Sequence, residues 1–251
     1  AKERLKDYPN LTIIKSSYTN IKAELQKLGI EKITGGVILD LGASYHQLTK
    51  AERGFSFSKE APLDMRFDME SNFSAYDVVN TYSEDELVRI FSEYGEERFS
   101  KRIAKKIVEV RRSEPIRTTK ELADIIIAAT PRIKSNIHPA TRVFQAIRIE
   151  VNNELKNVNF VLHDILDLLD KGGIISVISF HSLEDRAVKN AYIEAQGHCT
   201  CPKELPYCVC NYKSYGKIIN KKPIEATEQE KKENSRSKSA KLRIFERHEK
   251  K

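Results

Sequence analysis

Apolar positions along the chain change their spacing repeatedly, and each change marks a new element. Leu11-Thr12-Ile13-Ile14 alternates as a strand running to Tyr18. Asn20 then caps a helix with Ile21, Leu25 and Leu28 on one face and Gly29 as its stop. Val37–Leu41 is a short apolar run closed by Asp40-Leu41-Gly42, predicting a buried strand with a carboxylate at its end. The strand–helix–strand order and short crossover predict a parallel pair with a right-handed connection. Tyr18 and Asp40 would then stand at the carboxyl ends of two strands, the edge where open α/β sheets bind ligands.

From Ala43 to Met69 no period holds, yet the segment carries Arg53, Phe55, Phe57, Asp64, Arg66 and Asp68. Aromatics and paired charges in so long a connection predict an ordered functional loop. From Ser83 the period becomes helical. Ser83 with Glu86 and Thr118 with Glu121 read as capping boxes. Between and after them, Leu87/Ile90/Phe91/Tyr94, Phe99/Ile103/Ile107/Val110 and Leu122/Ile125/Ile126/Ala129 form three successive apolar faces. Three helices with no strand between them predict a helical insertion in an α/β domain. Ala140–Leu169 continues at spacings of three and four, as one helix or two with a joint at Asn157–Asn159, stopped by Lys171-Gly172-Gly173. Ile174–Phe180 is a buried strand, and His181-Ser182-Leu183-Glu184-Asp185-Arg186 crowds polar groups on its end. His181 is read equally as a capping or core histidine and as a pocket residue. Lys217-Ile218-Ile219 and Leu242–Phe245 are predicted closing strands, with Glu228–Ser239 polar and mobile between them.

Charge adds a direction. The 251 residues carry a formal net charge of +7, which suits a polyanionic partner without requiring one. No apolar run approaches the ~20 residues of a membrane span, and AKERLKDYPN has no signal-peptide core, so a cytoplasmic protein is expected. Arg98, Lys101, Arg102, Lys105, Lys106, Arg111 and Arg112 lie on the polar side of the second insertion helix. Such a run is either a solvated face or, if every member faces one way, a contact to backbone phosphates. Cys199, Cys201, Cys208 and Cys210 are the only cysteines. Their C-x-C-x6-C-x-C spacing admits a tetrahedral zinc or reduced thiols in a surface hairpin, and no metal is assigned.

Longer strings give a more specific signal. Asp40-Leu41-Gly42-x-Ser44-x-x-Gln47-Leu48, Ala51-Glu52-Arg53-Gly54-Phe55-Ser56-Phe57 and Pro62-Leu63-Asp64-Met65-Arg66 resemble the bacterial 16S rRNA cytosine-N4 methyltransferase family (RsmH, also called MraW). So do Tyr94–Phe99, the run from His138 to Ile149, Ser179–Arg186 and the terminal Arg236-Ser237-x-Ser239-Ala240-Lys241-Leu242-Arg243. The likeness covers nearly the whole chain, in order. It implies an α/β fold: a class I S-adenosylmethionine (SAM) methyltransferase (Rossmann-like) sheet with an inserted helical domain. The boundaries expected are 1–75 for a partial SAM-binding domain, 76–139 for the helical insertion, and 140–251 for the rest of the sheet domain with the cysteine hairpin.

The resemblance also implies the activity. It is methylation of the exocyclic N4 of a decoding-centre cytidine, with SAM as cofactor and the 16S rRNA of the small ribosomal subunit as partner. Carried over residue by residue, the cofactor contacts fall on Tyr18, where phenylalanine is commoner, on Asp40 and on Gln47. An aromatic ring can lie on adenine, a carboxylate can accept from an amino group, and a glutamine offers both donor and acceptor. No proton acceptor is implied, a homodimer is left open, and His181, Asp64 and Asp68 are the residues expected to grip cytosine. Arg53, Arg66, Arg142 and Arg148 are expected either on rRNA phosphate or in internal ion pairs.

Two departures stand out. Ala43-Ser44-Tyr45-His46 replaces the family's valine-serine-serine-proline, and a glycine-rich SAM loop with its acidic ribose contact is not found. The second suggests a chain lacking about two opening strands by the usual nucleotide-fold layout, one that binds SAM weakly by itself. Two other classes compete: a non-catalytic rRNA-binding module, which fits the charge, and a phosphohydrolase with Asp40 as nucleophile, for which no second acidic pair is apparent.

Overall fold

A computed structural model of the protein describes residues 3–44, 47, 50–131, 137–198, 201 and 212–248. Its backbone falls into two compact units. One is built from Ala1–Leu41 and Leu155–Lys251, the other from the continuous stretch Gly42–Glu154. These limits differ from the expected 75/76 and 139/140, and packing explains why. Leu63 and Met65 of the long loop, and Val143, Phe144, Ile147 and Val151 of the helix that follows Pro139, are buried in the same core as the insertion helices. That core takes the loop and the later helix with it.

The first unit is a mixed sheet with helices. Its strands are β1 (Gly36–Asp40), β2 (Ile174–Ser179), β3 (Gly216–Ile218), β4 (Ile224–Glu225) and β5 (Lys241–Arg247). The order is β1-β2-β5-β3, with β4 also paired to β5. β1 and β2 are parallel, with Gly36 opposite Ile174 and Asp40 opposite Ile178. β5 runs antiparallel to β2, β3 and β4. The helices of this unit are α1 (Ile21–Lys27), α7 (Glu154–Leu168, all but its first residue), α8 (Ser182–Gln196) and α9 (Glu228–Glu233). Val158, Leu162 and Ile165 of α7, Ile175 and Val177 of β2, Val188 and Tyr192 of α8 and Phe245 of β5 make its core. The buried Tyr192 hydroxyl donates to the Ile175 carbonyl at 3.1 Å, and burial pushes its pKa well up.

Three expectations are corrected in this unit. Leu11–Ser17 is not a strand: the segment has no ladder partner, and Leu11 and Ile14 are exposed. Alternation alone does not make a strand without a neighbouring edge to receive its hydrogen bonds, so β1 is parallel to β2 rather than to this segment. The chain instead enters a 3-10 turn at Tyr18–Asn20, with the Ser17 hydroxyl accepting from Thr19 N. The second correction concerns Glu228–Ser239. It forms α9, capped by Thr227 through Glu230 N, followed by a 3-10 turn over Ser235–Ser239. The third concerns where α7 begins: the joint in the long helical stretch lies at Asn153, whose φ of +50° is left-handed and ends the helix Ala140–Asn152 of the other unit. Asparagine tolerates that conformation, whereas Asn157 and Asn159 remain helical within α7.

The second unit is helical: α2 (Ala75–Thr81), α3 (Glu84–Glu93), α4 (Ser100–Arg111), α5 (Thr119–Ala129) and α6 (Ala140–Asn152). α2 was not anticipated, although Ser74 and Asp77 form a reciprocal capping box at its start. The predicted boxes at Ser83/Glu86 and Thr118/Glu121 are both formed. The loop before α2 is tied down by backbone bonding. Thr119 N donates to Ala61 O at 2.8 Å, Leu63 N to Arg117 O at 3.1 Å, and the Asn152 side chain takes Phe67 N at 2.7 Å while donating to Met65 O at 2.8 Å. Gly54 has φ +67°, and a Cβ there would lie 2.3 Å from the Pro62 carbonyl, so only glycine fits.

Candidate cofactor rim and the fate of the predicted residues

Parallel pairing of β1 and β2 puts their carboxyl ends side by side. Leu41 N donates to Ile178 O at 3.0 Å, which extends the ladder one step beyond Asp40. Gly42, at φ +85°, then turns the chain off the strand in a conformation that glycine adopts without strain. On the neighbouring strand end, Ser179-Phe180 leads into α8. Asp40 is thus the exposed carboxylate of a two-strand rim, as expected for a ligand-facing group in an open α/β sheet.

His181 stands on the same rim, as the N-cap of α8. Its Nδ1 accepts from Glu184 N at 3.4 Å, and the Glu184 carboxylate accepts from Phe180 N at 2.8 Å. The imidazole thus serves as the helix N-cap in place of a hydroxyl, with Glu184 reaching back to the residue before it, so the capping reading of His181 is realised. Its Nε2 lies 3.2 Å from Glu184 Oε1, outside hydrogen-bond geometry. One turn further, Asp185 takes a bidentate pair from Arg243 of β5, at 2.7 and 3.0 Å. Arg243 is 6% exposed. This fork ties the start of α8 to the strand beside β2.

Tyr18 opens the 3-10 turn that leads into α1 and is about 38% exposed, leaving part of its ring open for stacking. Gln47 lies in the other unit. Its Oε1 accepts from Ser44 N at 2.8 Å and its own N donates to Ser44 Oγ at 3.3 Å. Ser44-x-x-Gln47 is therefore a capping box that the sequence spelled out, and it commits the glutamine's acceptor end locally.

Other predicted contacts turn inward. The Asp64 carboxylate accepts from Arg66 N, Nε and Nη2 at 2.9, 3.0 and 2.7 Å. Burial alone would raise its pKa, but these bonds and the Arg66 charge prevail and hold it below the ordinary aspartate value. Asp68 caps the next turn by accepting from Glu70 N. Arg53 donates to the Arg66 carbonyl at 2.5 Å, Arg142 to the Glu96 carbonyl at 3.0 Å, and Arg148 pairs with Glu154 at 2.8 and 2.9 Å. Arg66 and Arg148 thus form internal ion pairs, whereas Arg53 and Arg142 donate to backbone carbonyls. Of the three residues expected to grip cytosine, His181 stands on the rim, and Asp64 and Asp68 belong to the other unit. Cys199, Cys208 and Cys210, like Tyr45 and His46, lie outside the described residues.

A family model described as the MraW methylase family matches residues 1–248. Ribosomal RNA small subunit methyltransferase H of Clostridium botulinum (strain Loch Maree / Type A3) is 54% identical over 245 residues, which are 97% of this chain and 79% of that relative. The protein of the same name from Clostridioides difficile (strain 630) is 53% identical, over 98% of this chain and 80% of its own. That from Caldicellulosiruptor bescii is 51% identical, over 98% and 80%. With such likeness along nearly its whole length, and with a parallel strand pair ending in an exposed aspartate, the chain belongs to the MraW methylase family.

Proposed function

We propose that this methyltransferase acts on small-subunit ribosomal RNA, transferring a methyl group from SAM to the exocyclic N4 of a decoding-centre cytidine. Three relatives at 51–54% identity bear the name of a small-subunit rRNA methyltransferase, and that likeness carries the reading. Among the described residues, no helix is long and apolar enough to cross a membrane.

The residues present fit a bound nucleoside. Asp40, exposed at the end of β1, accepts from an amino group of the donor. The half-exposed ring of Tyr18 lies on adenine. Gln47 belongs to the other unit, where Ser44 holds its Oε1, and its part in holding the donor rests on the family resemblance. SAM supplies an electrophilic methyl group when bound. The cytosine amino group is a weak nucleophile because its lone pair is delocalised into the ring, so placing it in line with the methyl is the protein's main task. The base must also leave its stack to be reached.

The test is methyl transfer to isolated small ribosomal subunits, followed by nucleoside mass spectrometry. N4-methylcytidine at one site is expected. A different methylated nucleoside would overturn the assignment of the atom. RNA binding with no transfer would favour the non-catalytic module.

A further inference from the structure

With Arg66 and Arg148 committed to internal ion pairs, RNA phosphates call for further cations. The helical unit offers them on α4. Ser100, Ile103, Ala104 and Ile107 of that helix are buried. Lys101, Arg102, Lys105, Lys106 and Arg112 are exposed. At 3.6 residues per turn these five occupy an arc of about 140° centred opposite the buried face, and they run about 16 Å along the axis. Arg111, on the inner side, is drawn off by the Val79 carbonyl at 2.6 Å and the Tyr82 carbonyl.

The face is also nearly free of acids. Glu109 is the one carboxylate within the arc, and Lys106 holds it at 3.4 Å. Among the described residues no acidic group pairs with Lys101, Arg102, Lys105 or Arg112. Ordinary solvated helices alternate their charges, as Arg89–Glu93 on α3 and Glu228–Lys231 on α9 do here. On α4 the pairs Lys101–Lys105 and Arg102–Lys106 are instead like charges four residues apart, which weakens a helix. No aromatic or large apolar side chain interrupts the face, so it lacks the desolvated centre of a protein–protein interface.

We infer that the outer face of α4 is a sequence-independent docking surface for the phosphate backbone of structured RNA. The inference rests on the rRNA reading above and names where the helical unit holds its substrate. Non-specific attraction of this kind releases counterions, so its signature is salt dependence rather than base preference.

The experiment is a salt titration of binding to a 20-base-pair RNA duplex of mixed sequence, using the whole chain. Changing Lys101, Lys105 and Arg112 together to alanine should make the slope of log affinity against log salt shallower by about 2–3. It should also weaken binding roughly ten-fold or more at 0.1 M salt. The charge-preserving set Lys101→Arg, Lys105→Arg and Arg112→Lys should keep the slope. Glu109→Gln, which leaves the core untouched and releases Lys106, should steepen it by about 1. Unchanged slopes in both the alanine set and Glu109→Gln would overturn the inference, as would a wild-type chain that ignores the duplex and binds polyglutamate instead. Duplex binding that follows these charges, together with no methyl transfer to small subunits, would remove the rRNA reading and leave the surface standing.

Discussion

The two units solve the folding problem with different kinds of information. Gly42–Glu154 is continuous, and its helices are fixed by signals within a few residues of each other. Reciprocal boxes start α2, α3 and α5, and apolar faces point into one core. The sheet unit is assembled from the two ends of the chain. Its decisive contacts join residues far apart in sequence: Asp40 beside Ile178, and Arg243 on Asp185. The rim proposed for the cofactor belongs to the non-local unit, and the cationic face belongs to the local one. Recognition of a polyanion needs only a regular array of charges, which one helix supplies. A rim for a small nucleoside needs strand ends brought together across the chain.

That contrast is sharpest where one contact is removed from each unit. Arg243→Ala leaves the half-buried Asp185 with Lys241 at 4.0 Å in place of its fork and should cost about 3 kcal/mol in urea unfolding. Phe91→Ala opens a cavity in the helical core and should cost about as much, roughly 3–5 kcal/mol. Native-state hydrogen exchange then discriminates. Arg243→Ala should raise exchange mainly in the sheet unit and Phe91→Ala mainly in 42–154. Equal loss of protection in both units from either change would show a single cooperative block and erase the distinction.

Smaller effects sharpen it. Asp40→Asn removes a charge-assisted acceptor from the rim and should weaken donor binding by about 1.5–3 kcal/mol. Calorimetry with S-adenosylhomocysteine reads this, with unfolding midpoints unchanged because Asp40 is exposed. Thr118→Ala deletes the cap of α5 and should cost about 1 kcal/mol without touching donor affinity. Smallest is a pH effect on the loop. Asp64 is held below its ordinary value of 3.8, so its contribution is full above that pH and is lost as the pH falls through the lowered one. Asp64→Asn should flatten this part of the acid-unfolding curve, and an unaltered curve would deny the Asp64–Arg66 pair its role.

Legibility in the sequence followed the same division. Helix starts at Ser83 and Thr118 are legible because a capping box is a four-residue pattern, and β2 because a short, largely apolar run after Gly172-Gly173 has few alternatives. Leu11–Ser17 misled because its alternation satisfied a strand pattern while the partner edge, which no local pattern encodes, was absent. Asn153 was missed as the joint because a left-handed residue leaves no mark in a spacing of three and four. At the site, Asp40 was legible from its place at a strand end. The inward turn of Asp64 and the four arginines was not, since carbonyl and carboxylate partners lie up to dozens of residues away. Ser44–Gln47 is spelled within four residues as a cap, and the same glutamine also matches a family cofactor contact, so its local role is hidden behind the longer motif.

β5 lies inside the sheet, bonded to β2 on one side and to β3 on the other, yet it follows every other strand and helix in the chain. A ribosome making this protein therefore releases the helical unit as a finished stretch before the sheet has its interior strand. Until residues 241–247 emerge, β2 offers a bare apolar edge, and that nascent interval is when the chain is most exposed to mispairing.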